Sequence, residues 1–159
     1  MVRVINSSVK LTSNEIKQFE EKVKITLPAQ YTSFLLEWNG GKARPNTFYI
    51  SEAQGESVVS DFFPIGNMDE NLEQIMSIYE NRLPMGFIPI GEDPGGNLIL
   101  LGTLEPYCGY VYFWDHEQEP EEPDDMRNMH LLAVSFYAFL DKLYADPDDE
   151  QDAVEENEN

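Results

Sequence analysis

The residues of this chain that could do chemistry are few, and the densest group is Asp115-His116-Glu117. A histidine between carboxylates could act as an acid–base pair or supply part of a metal site. The trio follows the apolar run Tyr110 to Trp114, however, and neighbouring strand residues point to opposite faces, so the three do not converge while the strand continues. His130 is the other histidine, and no Ser or Cys sits in a recognisable nucleophile motif. A metal would need further ligands of the right type from elsewhere in the chain. This inventory reads as non-enzymatic, with no metal and no other cofactor, and Asp115 and His116 read as strand-end and turn residues.

A second candidate is the glycine-rich stretch Gly91-Glu92-Asp93-Pro94-Gly95-Gly96. Backbone N–H groups in such a loop can cradle phosphate, usually beside a Lys or Arg. Here two carboxylates, Glu92 and Asp93, would repel an anion, so the stretch reads as a tight turn in which Gly91, Gly95 and Gly96 supply positive φ. Near the C-terminus, Asp146-Pro147-Asp148-Asp149-Glu150 hints at a calcium loop. Gln151 stands at its glycine position and Asn157 at its bidentate-carboxylate position, so the spacing fails. The single cysteine, Cys108, excludes an internal disulfide and fits a reducing compartment.

The elements that must position these residues follow from periodicity. Phe87 to Ile90, Leu98 to Leu101 and Tyr110 to Trp114 are short, β-branched or aromatic runs bounded by Gly, Pro, Asn and Asp, which predicts a β-meander. Phe48 to Ile50 and Val58 to Phe63 read as further strands separated by the polar turn Ser51 to Ser57. Thr12 and Glu15 form a capping box with Leu11 and Ile16 as a staple, so a helix is expected from Ser13, burying Ile16, Phe19 and Val23. Pro28 suits a first helical turn, Tyr31, Phe34, Leu35 and Trp38 follow at helical spacing, and Asn39-Gly40-Gly41 ends that helix. Asp69 is the expected cap of a third helix carrying Leu72, Ile75, Met76 and Tyr79 before Pro84. Ser135 opens a fourth that buries Phe136, Phe139, Leu140 and Leu143. The resulting order predicts one α+β domain, with an antiparallel or mixed sheet and helices packed on one side. At 159 residues no split into two cores is expected.

Charge adds the other large constraint. The chain carries 30 acids against 10 Lys and Arg, a net charge of −20. Fifteen of those acids lie in two segments, seven in Asp115 to Asp125 and eight in Ala145 to Asn159, so the remainder holds 15 acids against all 10 bases. Direct nucleic-acid binding is disfavoured, because phosphate contacts need a basic face. The complement of such a surface is a basic protein. Residues 1–144 read as the folded domain and 145–159 as an acidic, disordered tail. The longest nearly apolar run, Leu131 to Leu140, falls well short of the roughly 18 residues a membrane helix needs. Met1 to Asn6 lacks an apolar stretch behind Arg3, so a cytoplasmic protein is expected.

Several of these features occur together in one known family. Leu27-Pro28 with Tyr31, Phe34, Leu35 and Asn39-Gly40-Gly41 comes first. Ile90-Gly91 with Asp93, Gly95 and Asn97 follows, then Gly109, Val111, Tyr112, Trp114, Asp115 and His116. Ser135, Phe136, Phe139 and Leu140 come last. In this order, over residues 10–144, they resemble the SUKH superfamily, in the branch similar to the yeast cell-wall-assembly regulator. The resemblance implies an α+β fold and, in bacteria, an immunity protein that binds and neutralises a cognate polymorphic toxin, often a nuclease. The acidic stretches are not part of the family pattern.

Two function classes follow. In the first, the chain inhibits a basic toxin domain, and Glu92, Asp93, Asp115, Glu117, Glu119, Glu121 and Glu122 dock onto cationic surface that otherwise contacts nucleic acid. In the second, it is a regulatory or adaptor domain with a partner that is not a toxin.

Overall fold

A computed structural model describes residues 2–5 and 7–147, so most of the expected acidic tail, 148–159, lies outside the described residues. The chain runs β1 (Arg3–Ile5), α1 (Ser13–Val23), α2 (Ala29–Trp38), β2 (Lys42–Arg44), β3 (Thr47–Ser51), β4 (Gly55–Val58), β5 (Asp61–Phe62), α3 (Leu72–Ile78), β6 (Phe87–Glu92), β7 (Leu98–Gly102), β8 (Val111–Trp114), β9 (Met129–Ala133) and α4 (Phe136–Lys142). The last five strands named, β5 to β9, form one sheet in chain order, antiparallel throughout, and β1–β2 and β3–β4 are separate two-stranded ribbons. This is the expected α+β domain.

Local signals account for most element boundaries. Thr12 caps α1 in a complete capping box with Glu15, an arrangement worth about 1 kcal/mol. Asn39 leaves α2 in the left-handed conformation, φ 46°. Its side chain then ties the helix end to the chain on both sides, donating to Val9 O and Ile65 O and accepting from Ile65 N–H. Ser135 caps α4 by accepting from Ala138 N–H.

The third helix departs from expectation at both ends. Its cap is Asn71 rather than Asp69, because Glu70 sits at φ 57° and the chain becomes helical only after that left-handed residue. It stops at Tyr79, well before Pro84, where the backbone turns through Asn81 at φ 65°. The polar stretch expected as a turn from Ser51 to Ser57 includes strand: β4 begins at Gly55 and lies against β3 with an exposed outer side, so it shows no apolar alternation. Strands β1, β2 and β9 were not anticipated. The first two are three-residue arms, and β9 runs from Met129 and His130 into the first residues of the apolar run Leu131 to Leu140, ending at Ala133, with Val134 and Ser135 dividing it from α4.

Strict alternation along the central strands sorts their side chains into two layers. Ile88, Ile90, Ile99, Leu101, Val111 and Phe113 face the main core, where Tyr31 and Phe34 of α2 meet Phe62 and Phe136 in edge-on ring contacts. Phe87, Leu98, Leu100, Tyr112 and Trp114 face the opposite way and form a second, smaller cluster. Among the described residues no helix covers that face in full. Tyr79, Leu83, Tyr107, Tyr110 and Met126 from connecting segments close it together with Met129 of β9, so the single core expected from chain length has a satellite. The domain's end is tied down where Thr47 and Tyr144 exchange backbone hydrogen bonds. There the Tyr144 hydroxyl donates to Glu56, which pushes the tyrosine pKa up to about 12.

Candidate partner-binding face

Strands β6 and β8 run in the same direction, so the acidic residues where they end, Glu92-Asp93 and Asp115 to Glu117, lie at one end of the sheet. Asp93 organises that end. Its Oδ1 accepts from the backbone N–H of Gly95 (3.0 Å) and Asn97 (2.8 Å), and its Oδ2 accepts from Asn97 Nδ2 (3.0 Å) and Ser57 Oγ (2.8 Å). Such side-chain capture of the following backbone is how an Asp closes a turn, and here it also fastens the β3–β4 ribbon to the sheet. Only 7 % of Asp93 is exposed.

The glycines of this turn carry unequal constraints. Of Gly91, Gly95 and Gly96, expected to share positive φ, only Gly96 adopts it, at +86°. Gly95 is limited instead by crowding, since a Cβ there would lie 3.3 Å from Asn97 Nδ2. At Gly91 a Cβ would meet Asp61 O of the neighbouring strand at 3.0 Å.

The Asp115-His116-Glu117 trio joins the same network. Asn97 Oδ1 accepts from His116 N–H (3.0 Å), and His116 Nε2 lies 2.8 Å from Gly95 O. A carbonyl only accepts, so Nε2 carries a proton and donates. Asp115 is 8 % exposed. Its Oδ1 accepts from Glu117 N–H (3.0 Å), capping a single 3₁₀ turn over His116–Gln118, and its Oδ2 accepts from Gln54 Nε2 (3.4 Å). Its carbonyl accepts from Asn128 Nδ2 (2.9 Å). Asp93, Gly95, Asn97, Asp115 and His116 therefore form one hydrogen-bonded staple between the β6–β7 turn and the end of β8. Gln54, Ser57 and Asn128 complete it, and no local pattern in their sequence surroundings marks them.

The acidic segment beyond β8 runs along the face that carries Trp114. Arg82 holds it by a two-pronged contact, Nε to Glu119 Oε2 (3.1 Å) and Nη2 to Glu119 Oε1 (2.8 Å), while its guanidinium stacks 4.6 Å from the Tyr79 ring centre. The Arg82 contact holds the Glu119 carboxyl below the ordinary glutamate range. Asp124 Oδ1 accepts from Met85 N–H (2.8 Å), and Asp125 pairs with Arg127. Glu117, Glu121 and Glu122 are exposed and enter no ion pair among the described residues.

The seven carboxylates expected at a docking face thus occupy different environments. Asp93 and Asp115 are largely buried and bonded internally, and Glu119 is paired. Glu92 is half-buried on the β5 side, where burial first, then Glu70, Asp61 and Asp93, raise its carboxyl above the usual range against the opposing pull of Lys42. Glu117, Glu121 and Glu122 are exposed and unpaired among the described residues. Arg82 and Met85, which position the acidic segment, lie more than thirty residues before it in sequence.

Asp93, Gly95, Asn97, Asp115 and His116 are among the residues that carry the resemblance to the SUKH superfamily, and comparison with known proteins bears out that family. Over 163 aligned residues the chain is 25% identical to the SPbeta prophage-derived uncharacterized protein YokK of Bacillus subtilis (strain 168), covering 90% of this chain and 81% of that protein. Residues 10–142, from the lead-in to α1 through the last turn of α4, match the SMI1 / KNR4 family (SUKH-1), and the chain belongs to that family.

Proposed function

We propose that this chain is a non-enzymatic immunity protein that binds and neutralises a cationic toxin domain, a nuclease being the chemistry its charge fits best. Family membership supports this reading, because SUKH proteins include immunity proteins. The observation that carries it is the set Glu117, Glu121 and Glu122. Three exposed carboxylates with no ion pair among the described residues are held on a segment pinned at Glu119 and Asp124, a placement that fold stability does not require. Exposed charge of one sign acts over a Debye length of roughly 10 Å at 0.1 M salt and chiefly raises association rate. A toxin surface that grips nucleic-acid phosphates would be drawn to it. The reading places the protein in the cytoplasm, where such a toxin would act.

Catalysis is disfavoured by what the candidate acid–base groups already do. The His116 Nε2 proton is engaged by Gly95 O, and both Asp115 oxygens are engaged by Gln54 and Glu117. A family relative of prophage origin fits a gene that travels with the protein it counters.

The test is co-expression with the toxin domain encoded by the adjacent gene, followed by pull-down and stopped-flow binding. A stable complex is expected, with an association rate that falls as salt rises. Glu117→Gln, Glu121→Gln and Glu122→Gln together should slow capture roughly tenfold at low salt and leave dissociation little changed. Absence of a complex with that neighbour would remove the toxin reading in favour of a regulatory or adaptor partner. A salt-independent association rate would remove the steering argument alone.

A further inference from the structure

We propose that the partner's main apolar anchor docks on the ridge formed by Met85 and Leu104, in a groove whose acidic rim selects a segment combining an aliphatic or aromatic side chain with flanking Arg or Lys. This deepens the proposed function and rests on its cationic partner. Met85 is 80 % exposed and Leu104 56 %, both line one groove, and a Cβ placed on Gly86, the residue after Met85, would lie 3.2 Å from Leu104. Two surface grooves, of about 390 and 680 Å³, share Met85 and Gly86 as their common wall. Exposed apolar side chains grouped between grooves are where interfaces place their buried anchors, and methionine adapts its shape to a partner.

Charge identifies the occupant. The smaller groove has Met76, Tyr79 and Leu83 in its walls and Glu80 and Asp124 at its edge, with the unpaired Glu121 and Glu122 immediately before Pro123, itself a lining residue. The molecule already seats one guanidinium beside it, Arg82, stacked on Tyr79 and forked onto Glu119. The larger groove on the other side of Met85 is mixed, carrying Lys17 and Lys24 as well as Glu20 and Glu21. The partner's cations therefore belong on the side of residues 121–124. By contrast, the apolar groove between β3 and β9, lined by Tyr49 and Leu131, has Lys142 and no acid in its wall, so it offers a cation nothing.

The test uses the whole chain with ¹³C-methyl-labelled Met and Leu and three capped peptides of equal length, alternating Arg–Leu, Glu–Leu and Arg–Ser. The Arg–Leu peptide is expected to shift the Met85 and Leu104 methyl resonances at least five times more tightly than either control. Met85→Ser with Leu104→Ser should weaken it at least tenfold, while Tyr49→Ser with Leu131→Ser should not. Both ridge residues are exposed, so an unchanged melting temperature verifies that the variant folds. Equal binding of the Glu–Leu or Arg–Ser peptide, or unmoved ridge methyls, overturns the proposal. Ridge shifts that depend on protein concentration without peptide assign the surface to a second copy, which also overturns it. In the toxin complex, a tenfold loss of affinity in the Met85/Leu104 variant supports the ridge, and unaltered affinity overturns it while the toxin reading stands. Failure of the neighbouring toxin to bind sinks that reading and leaves the peptide experiment to decide the ridge.

Discussion

Replacing Asp93 should loosen the whole acidic end of the sheet. Asp93→Ala removes the acceptor of four hydrogen bonds, from Gly95 N–H, Asn97 N–H, Asn97 Nδ2 and Ser57 Oγ. Hydrogen bonds to a charged group contribute about 1.5–3 kcal/mol each, but bonds on one carboxylate are not additive, and water can reach the freed groups of an exposed turn. A net loss of about 3 kcal/mol follows. For a domain of this size each 1 kcal/mol moves the melting temperature by roughly 2–4 °C, so a fall of about 6–12 °C is expected. Asp93→Asn is the sharper probe. It keeps Oδ1 for the two backbone donors but sets an NH₂ against Asn97 Nδ2, donor facing donor, so its cost should fall near half that of Asp93→Ala. Ser57→Ala removes one donor and should cost about 1 kcal/mol. In the Asp93→Ala background it should cost almost nothing, because the bond is already lost. Thermal and urea denaturation of the four variants form the cycle. If Asp93→Ala melts within 2 °C of the parent, or if its effect and that of Ser57→Ala simply add, the staple is not what holds this turn.

Three further outcomes follow from the same geometry. Gly96→Ala should cost about 1 kcal/mol, because only Gly96 of that turn's glycines holds a positive φ; Gly95→Ala should cost less, and equal costs in denaturant titration would contradict the assigned backbone. Glu92→Gln should stabilise at pH 7 by up to about 0.5 kcal/mol. Its carboxyl is raised in the folded state, so the charged form carries a penalty that is absent below the unfolded value of about 4.3 and grows as pH rises, and the melting-temperature gain should vanish by about pH 4. Glu119→Gln runs the other way: the Arg82 pair lowers this carboxyl, so its stabilisation, at most about 1 kcal/mol for so exposed a pair, is present at pH 7 and lost as pH falls below the ordinary glutamate range. A Glu119→Gln melting curve that differs more from the parent at pH 3 than at pH 7 would reverse that sign.

The sheet's centre was legible because each central strand is a short apolar run cut by turn residues, and α1 because Thr12 and Glu15 write a reciprocal cap into four consecutive positions. What escaped was structure whose cause is not local. β9 ends inside an apolar run that also feeds α4, and pairing with β8 makes residues 129–133 a strand. β4 is a polar edge whose strand character comes from β3. Asp69 and Asn71 are equivalent caps by residue type, and the choice fell to Asn71 because the backbone is left-handed at Glu70. The second cluster around Trp114 is the clearest case. Alternation in β7 and β8 offered apolar side chains to both faces, but the residues that close the far face come from scattered positions such as Tyr79, Tyr107 and Met126, which no periodicity links.

The same distinction governs the candidate site. Composition locates an acidic run, but it counts every carboxylate alike, and the fold does not. Asp93 and Asp115 sit at turn positions where the backbone N–H groups two residues on have no strand partner, so their charge is drawn inward to satisfy the chain. Glu119 is drawn to Arg82, and Asp124 to the backbone ahead of β6. Each of these contacts reduces the charge offered to a partner while fixing the segment that offers the rest. A loop held by Glu119 at Arg82 and by Asp124 at the backbone N–H of the exposed Met85 carries the exposed Glu121 and Glu122 between those two contacts, so the internally bonded acids give the others a defined position. Steering by net charge alone would tolerate shuffling of acids within residues 117–125. A docking face of this construction would not, because exchanging Glu119 with Gln118, at unchanged net charge, would release the loop from Arg82 and leave the remaining carboxylates without a fixed relation to the apolar ridge.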